Sequence, residues 1–270
     1  MKYKFDIQEI SKERALEMVT KFHYSNTLPT LNKIFLGFFL EGELVGMVTL
    51  GWGTRPLHTI KKLFPSLDTK DYFEIGRMCM TEDMPRNSES QMLSQMVKWL
   101  KVNKPKLKVI FTWADGMLGK VGYVYQASNF LYAGQVESEI YLHNGVKIHP
   151  RQTKALFGLE GDKRKTVRPS WEQMQEHGIK HYKGNQFRYL LFLCNKKEKK
   201  KLMKEALVDL SYNYPKEDAL SWKVKVGNRA WQKCPPPNYI TDRKFNKNED
   251  YLTEKGHKAF EKTEFIIRYI

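Results

Sequence analysis

The sequence predicts an α/β protein in which a mixed central sheet is flanked by helices. Apolar runs of strand length, among them Ile34–Leu40, Leu44–Leu50, Leu107–Trp113 and Gln186–Cys194, alternate with amphipathic segments of helical period. Of the 270 residues, 41% are hydrophobic and 13% aromatic, enough to bury a core and too apolar for wholesale disorder. No run approaches the ~18 apolar residues of a membrane span. The start, Met1-Lys2-Tyr3-Lys4-Phe5-Asp6, lacks the apolar stretch of a signal peptide, and three cysteines without a CxxC spacing offer neither a disulfide framework nor a zinc module. The expectation is a soluble protein of a reducing compartment, the cytoplasm.

Element by element, Ser11 caps a helix to Phe22 that sets Ala15, Met18, Val19 and Phe22 on one face. His23–Pro29 breaks it. Ile34–Leu40 and Leu44–Leu50 form a hairpin about Glu41-Gly42, and Gly51–Pro56 is a loop. Tyr72–Met80 is a strand. After the polar turn Thr81–Asn87, Ser88 and Gln91 fit a capping box for a helix with Met92, Leu93, Met96, Val97 and Leu100 inward. Leu107–Trp113 is a buried strand ending at Ala114-Asp115-Gly116, and a second helix is expected over Leu118–Ser128. Asn144-Gly145 suits a type I′ turn between Glu139–Leu142 and Val146–His149. Pro150 opens a short helix to Phe157, a basic linker follows at Lys163-Arg164-Lys165, and a further short helix runs from a Ser170 cap to Gly178. Gln186–Cys194 is a strand, and Asn195 caps a lysine-rich helix carrying Leu202, Met203, Ala206 and Leu207 inward. Beyond Pro215 the polar, basic sequence with Pro235-Pro236-Pro237 reads as a partly irregular tail. The expected organisation is a core over 1–215, with a basic hairpin and helix insertion at 138–185, and a basic C-terminal extension over 216–270.

Forty-six Lys and Arg against thirty Asp and Glu leave a net charge of +16. Such an excess costs self-repulsion in the compact state and points to a polyanionic partner, against the blander reading of a generally basic surface. An anionic membrane is disfavoured, because no basic segment is also strongly amphipathic.

Several residues are candidates for chemistry. The helix beginning at Ser88 points its positive end forward, where Arg86, Asn87, Ser88 and Ser90 can donate to a phosphate, although an ordinary capped helix looks the same. Arg77 lies mid-strand among apolar neighbours and requires a partner, either a carboxylate (Glu74 or Asp115) or a ligand. Asp115 ends a strand, where open α/β sheets bind ligands and where an aspartate also routinely caps a helix. Tyr125 and Asn129 are four apart on an expected helical face, a spacing at which tyrosine is more often core than catalyst. His23-Tyr24-Ser25 places three side chains able to hold or move protons in one break between elements, which a simple turn also explains.

The order of elements is similar to that of acyl-CoA N-acyltransferases of the GNAT type. Those enzymes carry a glycine-rich cofactor loop where this chain has Pro85-Arg86-Asn87-Ser88-Glu89-Ser90. Four sets of residues resemble the motifs of the phage Mom family: His23-Tyr24-Ser25 with Pro29, Phe73-Glu74-Ile75-Gly76-Arg77, Ala114-Asp115, and Gly122-Tyr123-Val124-Tyr125-Gln126-Ala127-Ser128-Asn129-Phe130. Gly145–Arg151 and Phe187–Leu193 extend the likeness over roughly residues 15–215. The resemblance implies a GNAT-like protein that modifies adenine in phage DNA to a carbamoylmethyl- or methylcarbamoyl-type base, protecting it from restriction. It implies an active site lined by His23, Tyr24, Ser25, Arg77, Asp115 and Tyr125. By chemistry, Asp115 or His23 can serve as the base, Arg77 or a backbone amide as the stabiliser of negative charge, and Tyr125 as the acid. Tyr24 or Trp52 can stack on a flipped base. The implied cofactor is acetyl-CoA or a related acyl-CoA, held by Arg86, Asn87, Ser88, Ser90 and Asn129. The implied partner is double-stranded DNA, contacted by Lys147, His149, Arg151, Lys154, Lys163, Arg164, Lys165 and Arg168. Two other readings remain open: an acyl-CoA-dependent N-acyltransferase acting on a protein, tRNA or small amine, and a DNA-binding protein with an inactive site.

Overall fold

The structure, a computed structural model, describes residues 3–25, 27–148 and 168–238. The short helix expected after Pro150, the linker Lys163-Arg164-Lys165, and His149, Arg151 and Lys154 lie outside the described residues. As far as they are described, residues 3–114, 122–135 and 187–214 form one compact unit, and 115–121, 136–186 and 215–238 form another.

The strands are β1 (Asp6–Glu9), β2 (Leu31–Leu40), β3 (Glu43–Trp52), β4 (Tyr72–Met80), β5 (Val109–Asp115), β6 (Leu131–His143), β7 (Val146–Ile148), β8 (Ile179–Phe192), β9 (Trp222–Lys225) and β10 (Trp231–Lys233). The helices are α1 (Lys12–Phe22), α2 (Pro56–Lys61), α3 (Ser88–Asn103), α4 (Tyr123–Ala127), α5 (Trp171–Glu176) and α6 (Lys196–Glu205). In the first unit the strand order is β1-β2-β3-β4-β5-β8-β6, antiparallel from β1 to β4 and parallel between β4 and β5. This is the expected mixed sheet flanked by helices.

The hairpin β2–β3 turns at Glu41 (φ 52°) and Gly42 (φ 86°), the two positive angles that a type I′ turn requires. Buried Leu36, Phe38, Met47, Val48 and Leu50 make it a central part of the sheet. Ser11 caps α1 by accepting from the Arg14 amide at 3.2 Å, and the helix packs Ala15, Met18 and Val19 against Met47 and Cys79. A second apolar cluster joins Ile60 and Phe64 to Tyr72, Val109, Phe111, Leu190 and Leu202, so that α2 and α6 pack against β4, β5 and β8.

Two local expectations are corrected. Ser88 does not cap α3: Asn87 precedes the helix in a left-handed conformation (φ 73°) with no side-chain cap, and Ser88 is the first helical residue. The anticipated capping box fails because Gln91 is used elsewhere, its Oε1 accepting from the Tyr3 amide at 2.8 Å. The helix expected over Leu118–Ser128 is broken by Gly119 (φ 71°) and Gly122 (φ 93°), leaving only α4. Asn129 lies past its end at φ 59°, so it shares no helical face with Tyr125.

In the second unit, Asn144 (φ 50°) and Gly145 (φ 78°) close the β6–β7 turn as expected, and Ser170 caps α5 with Gln173 completing a capping box. The chain beyond Pro215 is more ordered than its composition suggests. β9 pairs with β8 and β10 with β9, while Trp222 Nε1 donates to the Met117 carbonyl at 3.2 Å. At the centre of this unit, His181 is 6% exposed, stacked 4.0 Å from Tyr141 and edge-on to Trp231 at 4.9 Å. Its Nε2 is 3.1 Å from Glu139, which also accepts from Arg168 at 2.7 Å.

Burial pushes His181 down to about 4, against the pull of Glu139 and helped by Lys225 and Lys183. Because the folded value lies below the ordinary 6.5, the unfolded chain binds the proton more readily, and acid favours unfolding. The stabilisation is complete above pH 6.5 and is lost as pH falls toward 4. Thermal melts between pH 7.5 and 5 are expected to drop by roughly 5 °C through this group, on the order of 2 kcal/mol. His181→Phe is expected to flatten that acid-side decline; an identical decline in the variant would assign it to other groups.

Candidate functional site

The site in the first unit begins with an irregularity in β4. Against β3 the register steps from Thr49↔Arg77 to Leu50↔Ile75, leaving Gly76 as an extra residue, a β-bulge. A larger residue here would force its neighbours to shift, since a Cβ would lie 2.7 Å from Asn32 Oδ1, 2.9 Å from Thr49 Oγ1 and 3.0 Å from Pro29. In a regular strand, residues three apart face opposite sides. One extra residue restores the phase, so that Glu74 and Arg77 come within electrostatic reach of each other. On the other edge, β4 pairs with β5 only from Tyr72↔Val109 to Glu74↔Phe111, and beyond this point the two strands run on without pairing to each other.

Arg77 fastens the loop that follows α1. Its Nε donates to Thr27 O at 2.8 Å, Nη1 to Gly76 O at 2.8 Å and Nη2 to Ser25 Oγ at 3.0 Å. Besides Glu74 in electrostatic reach, Arg77 therefore has neutral acceptors in this loop and one on its own strand. Within the loop, the Ser25 amide donates to His23 Nδ1 at 2.9 Å, and the rings of His23 and Tyr24 stack at 4.3 Å. The Ser25 carbonyl oxygen lies 3.0 Å from the same Nδ1, so this nitrogen faces both a donor and an acceptor of one residue. His23, Tyr24, Ser25 and Arg77 are therefore brought together.

Glu74, read in the sequence as a counter-ion for Arg77 and as part of the Phe73–Arg77 motif but not as a site residue, is the further candidate that the geometry adds. Burial pushes its carboxyl up to about 7, opposed by a hydrogen bond from the Gly53 amide and by Arg77. The approach depends on Gly53 having no side chain, since a Cβ there would lie 2.7 Å from Glu74 Oε2. The sequence signal was available: a glutamate mid-strand between Phe73 and Ile75.

Tyr125 is buried, hydrogen-bonded to Thr112, and packed against Phe130 and Tyr189 at ring distances of 5.5 Å each. Burial raises its pKa and the charge of Glu74 adds to the shift, so the phenol stays protonated. Asp115 belongs to the second unit, where it accepts from the Met117 amide at 3.0 Å as the cap of a 3₁₀ turn.

Arg86 and Asn87 are exposed ahead of α3. The hydroxyls of Ser88 and Ser90 turn back to Pro85 O at 2.7 Å and Asn87 O at 2.9 Å, so backbone amides and Arg86, rather than hydroxyls, are what this turn offers an anion. Arg168 is exposed but ion-paired to Glu139, and Lys147 lies on β7. Among the described residues no three His, Cys, Asp or Glu side chains gather as a metal site, and no helix is long and apolar enough to cross a membrane.

The profile of the Mom protein family matches residues 4–216. The methylcarbamoylase mom of Escherichia phage Mu is 32% identical over 196 residues, covering 73% of this chain and 78% of that protein. Among solved structures, an acetyltransferase of Bacillus subtilis in complex with CoA overlaps 71% of this chain and 100% of its own, at 12% identity and a TM-score of 0.37. An N-acetyltransferase of Staphylococcus aureus overlaps 72% of this chain and 100% of its own, at 12% identity and a TM-score of 0.38.

A carboxyl whose folded pKa of about 7 exceeds the ordinary 4.5 favours folding when protonated. That contribution is complete below pH 4.5 and is lost as pH rises through 7. Glu74→Gln is therefore expected to raise the melting temperature by a few degrees at pH 8 and by much less at pH 5. A destabilised variant at pH 8 would mean that the carboxylate is a structural counter-ion.

Proposed function

The chain belongs to the Mom protein family and is a transferase, and from that premise we propose that it places a methylcarbamoyl-type group on the exocyclic N6 of adenine in phage DNA, protecting that DNA from restriction. The observation that carries the mechanism is the Glu74 carboxyl, raised to about 7 beside the loop that Arg77 holds. The N6 lone pair is delocalised into the ring, so a base must take a proton as the new bond forms. Glu74 is partly ionised at neutral pH and is that base. Tyr125, kept protonated by burial, is the acid toward the leaving group. Asn32 Nδ2, beside the Gly76 bulge, is a buried donor with no acceptor among the described residues, and it suits the negative charge that develops on the transferred carbonyl. Arg77 acts as a positioning residue, setting the His23–Ser25 loop against β4.

An acyl-CoA, acetyl-CoA or a relative, would supply the activated group when bound. The first turn of α3 fits its pyrophosphate, because the helix begins without a side-chain cap and Arg86 stands exposed before it. An acetyl group lacks the amide nitrogen of a methylcarbamoyl group, so the donor chemistry extends beyond simple acetyl transfer. Reaching N6 from a buried site requires the nucleotide to leave the duplex. The net charge of +16, with exposed Lys196, Lys197, Lys200 and Lys201 on α6, supports salt-dependent attraction to double-stranded DNA.

Mass spectrometry of nucleosides from cells expressing the protein is expected to show a new adenine adduct; an unmodified pool would defeat the reading. Glu74→Gln and Tyr125→Phe are each expected to lower modification ~10²-fold or more without loss of folding. In the wild type the rate rises with pH through about 7, and this limb is absent in Glu74→Gln. Arg77→Lys keeps the charge but not the fork to Ser25 and Thr27, and is expected to lower kcat ~10-fold or more with KM little changed. Full activity in Arg77→Lys would separate the loop from the chemistry.

A further inference from the structure

Arg188 has no part in the reading above. It sits on β8 in the first unit, half-buried, and its Nε is fully buried with no acceptor among the described residues. No carboxylate among them pairs with it; the titratable group in its reach is the phenol of Tyr132. A guanidinium keeps its charge at any working pH, so one that is half-buried without a counter-ion calls for an anion from outside the chain. The neighbouring backbone leaves room for it: Gly134 is held at φ 82°, and a Cβ there would lie 3.1 Å from Arg188 Nη2.

Aromatic rings flank this cation in sequence. Tyr132 lies 5.8 Å from Tyr189, Tyr189 lies 6.4 Å from Tyr214, and Tyr214 lies 6.2 Å from Tyr212. Tyr214 is anchored through its hydroxyl to Phe130 O at 2.8 Å, and Tyr189 accepts from Gln126 at 3.1 Å. Tyr212, at the outer end, is 56% exposed. At the inner end Tyr189 packs against Tyr125, so the run of rings starts at the candidate site and reaches the surface. A lone cation answers a phosphate; Tyr189 is fully buried and links the rings from within, while the partly exposed Tyr132 and Tyr214 and the exposed Tyr212 are the π-faces open to unstacked bases. Together they match the backbone and bases of an unpaired nucleic-acid strand, and they match a small anion less well, since that would need no rings.

We propose that Arg188, with Tyr132 and Tyr212, binds the phosphate and a neighbouring unstacked base of the strand that carries the target nucleotide. The inference rests on the DNA reading above and adds to it the residues that hold the strand once the duplex has opened.

The test uses the full chain. Binding of a labelled single-stranded oligonucleotide is followed by anisotropy through a salt titration, alongside thermal melting and nucleoside mass spectrometry. Arg188→Gln is expected to weaken binding ~10-fold and to flatten the salt slope by about 0.7, the share of one phosphate on a single strand. It should raise KM for DNA with kcat unchanged, and its melting temperature should not fall, because an uncompensated charge has been removed. Tyr212→Ala, at an exposed position that folding does not need, is expected to weaken binding ~10-fold with the salt slope intact. Wild-type affinity and slope in Arg188→Gln, or a loss of affinity that tracks a loss of folding, overturns the proposal. If Arg188→Gln does not fold, unchanged binding by Tyr212→Ala overturns it alone. A wild type that binds strands as described but leaves adenine unmodified defeats the transferase reading and not this site, whereas a wild type that modifies adenine beside an unaffected Arg188→Gln defeats this site and not that reading.

Discussion

The extra residue at Gly76 is the constraint on which the candidate site depends. Without it the two-residue period of β4 would send Glu74 and Arg77 to opposite faces of the sheet, and neither could sense the other. With it, one short strand supplies both a titrating carboxyl and the guanidinium that fixes the adjoining loop. The glycine allows this because Asn32, Thr49 and Pro29 already fill the space a side chain would take. The separation of β4 from β5 beyond Glu74 follows in the same stretch, so the disruption that aligns the side chains also coincides with an opening beside them.

That arrangement is held at a cost in stability. A half-buried carboxyl raised to about 7 is a poor counter-ion, and the fold keeps it through a close amide at Gly53 and the nearby charge of Arg77. Arg77 is itself divided among Thr27, Gly76 and Ser25, so its charge is only partly at the service of Glu74. A full bidentate ion pair would have driven the carboxyl well below neutrality and made it useless as a base near pH 7. The weak pairing is what leaves Glu74 able to exchange protons.

What was legible in the sequence was what is encoded locally. Ser11, Ser170 and Asn195 cap their helices as their positions predict, and Glu41-Gly42 and Asn144-Gly145 make the expected turns. The misreadings come from distant partners. Gln91 looked like half of a capping box and is instead bound to Tyr3, far away in the chain. Gly119 and Gly122 interrupt a run whose apolar spacing alone suggested a longer helix. β9 and β10 are only four and three residues long; β9 becomes a strand because β8 offers an edge, and β10 because β9 in turn offers one. The same division holds at the site. His23-Tyr24-Ser25 and Arg77 were visible as motifs, whereas the raised carboxyl of Glu74 arises from Gly53, Arg77 and burial together, and no single segment announces it.

The two shifted groups, one in each unit, show why desolvation alone does not mark a functional residue. Burial moves Glu74 up to about 7 and His181 down to about 4, and in each case it favours the neutral form. His181 is 6% exposed, closed in by Tyr141 and Trp231 and paired to a glutamate that Arg168 also holds. It is a neutral spacer that would titrate only in acid that loosens its surroundings. Glu74 keeps partial access to solvent, stands where two strands cease to pair, and is pushed up to about 7, which suits the role of base proposed for it. That contrast supports the proposal that β4 carries the base.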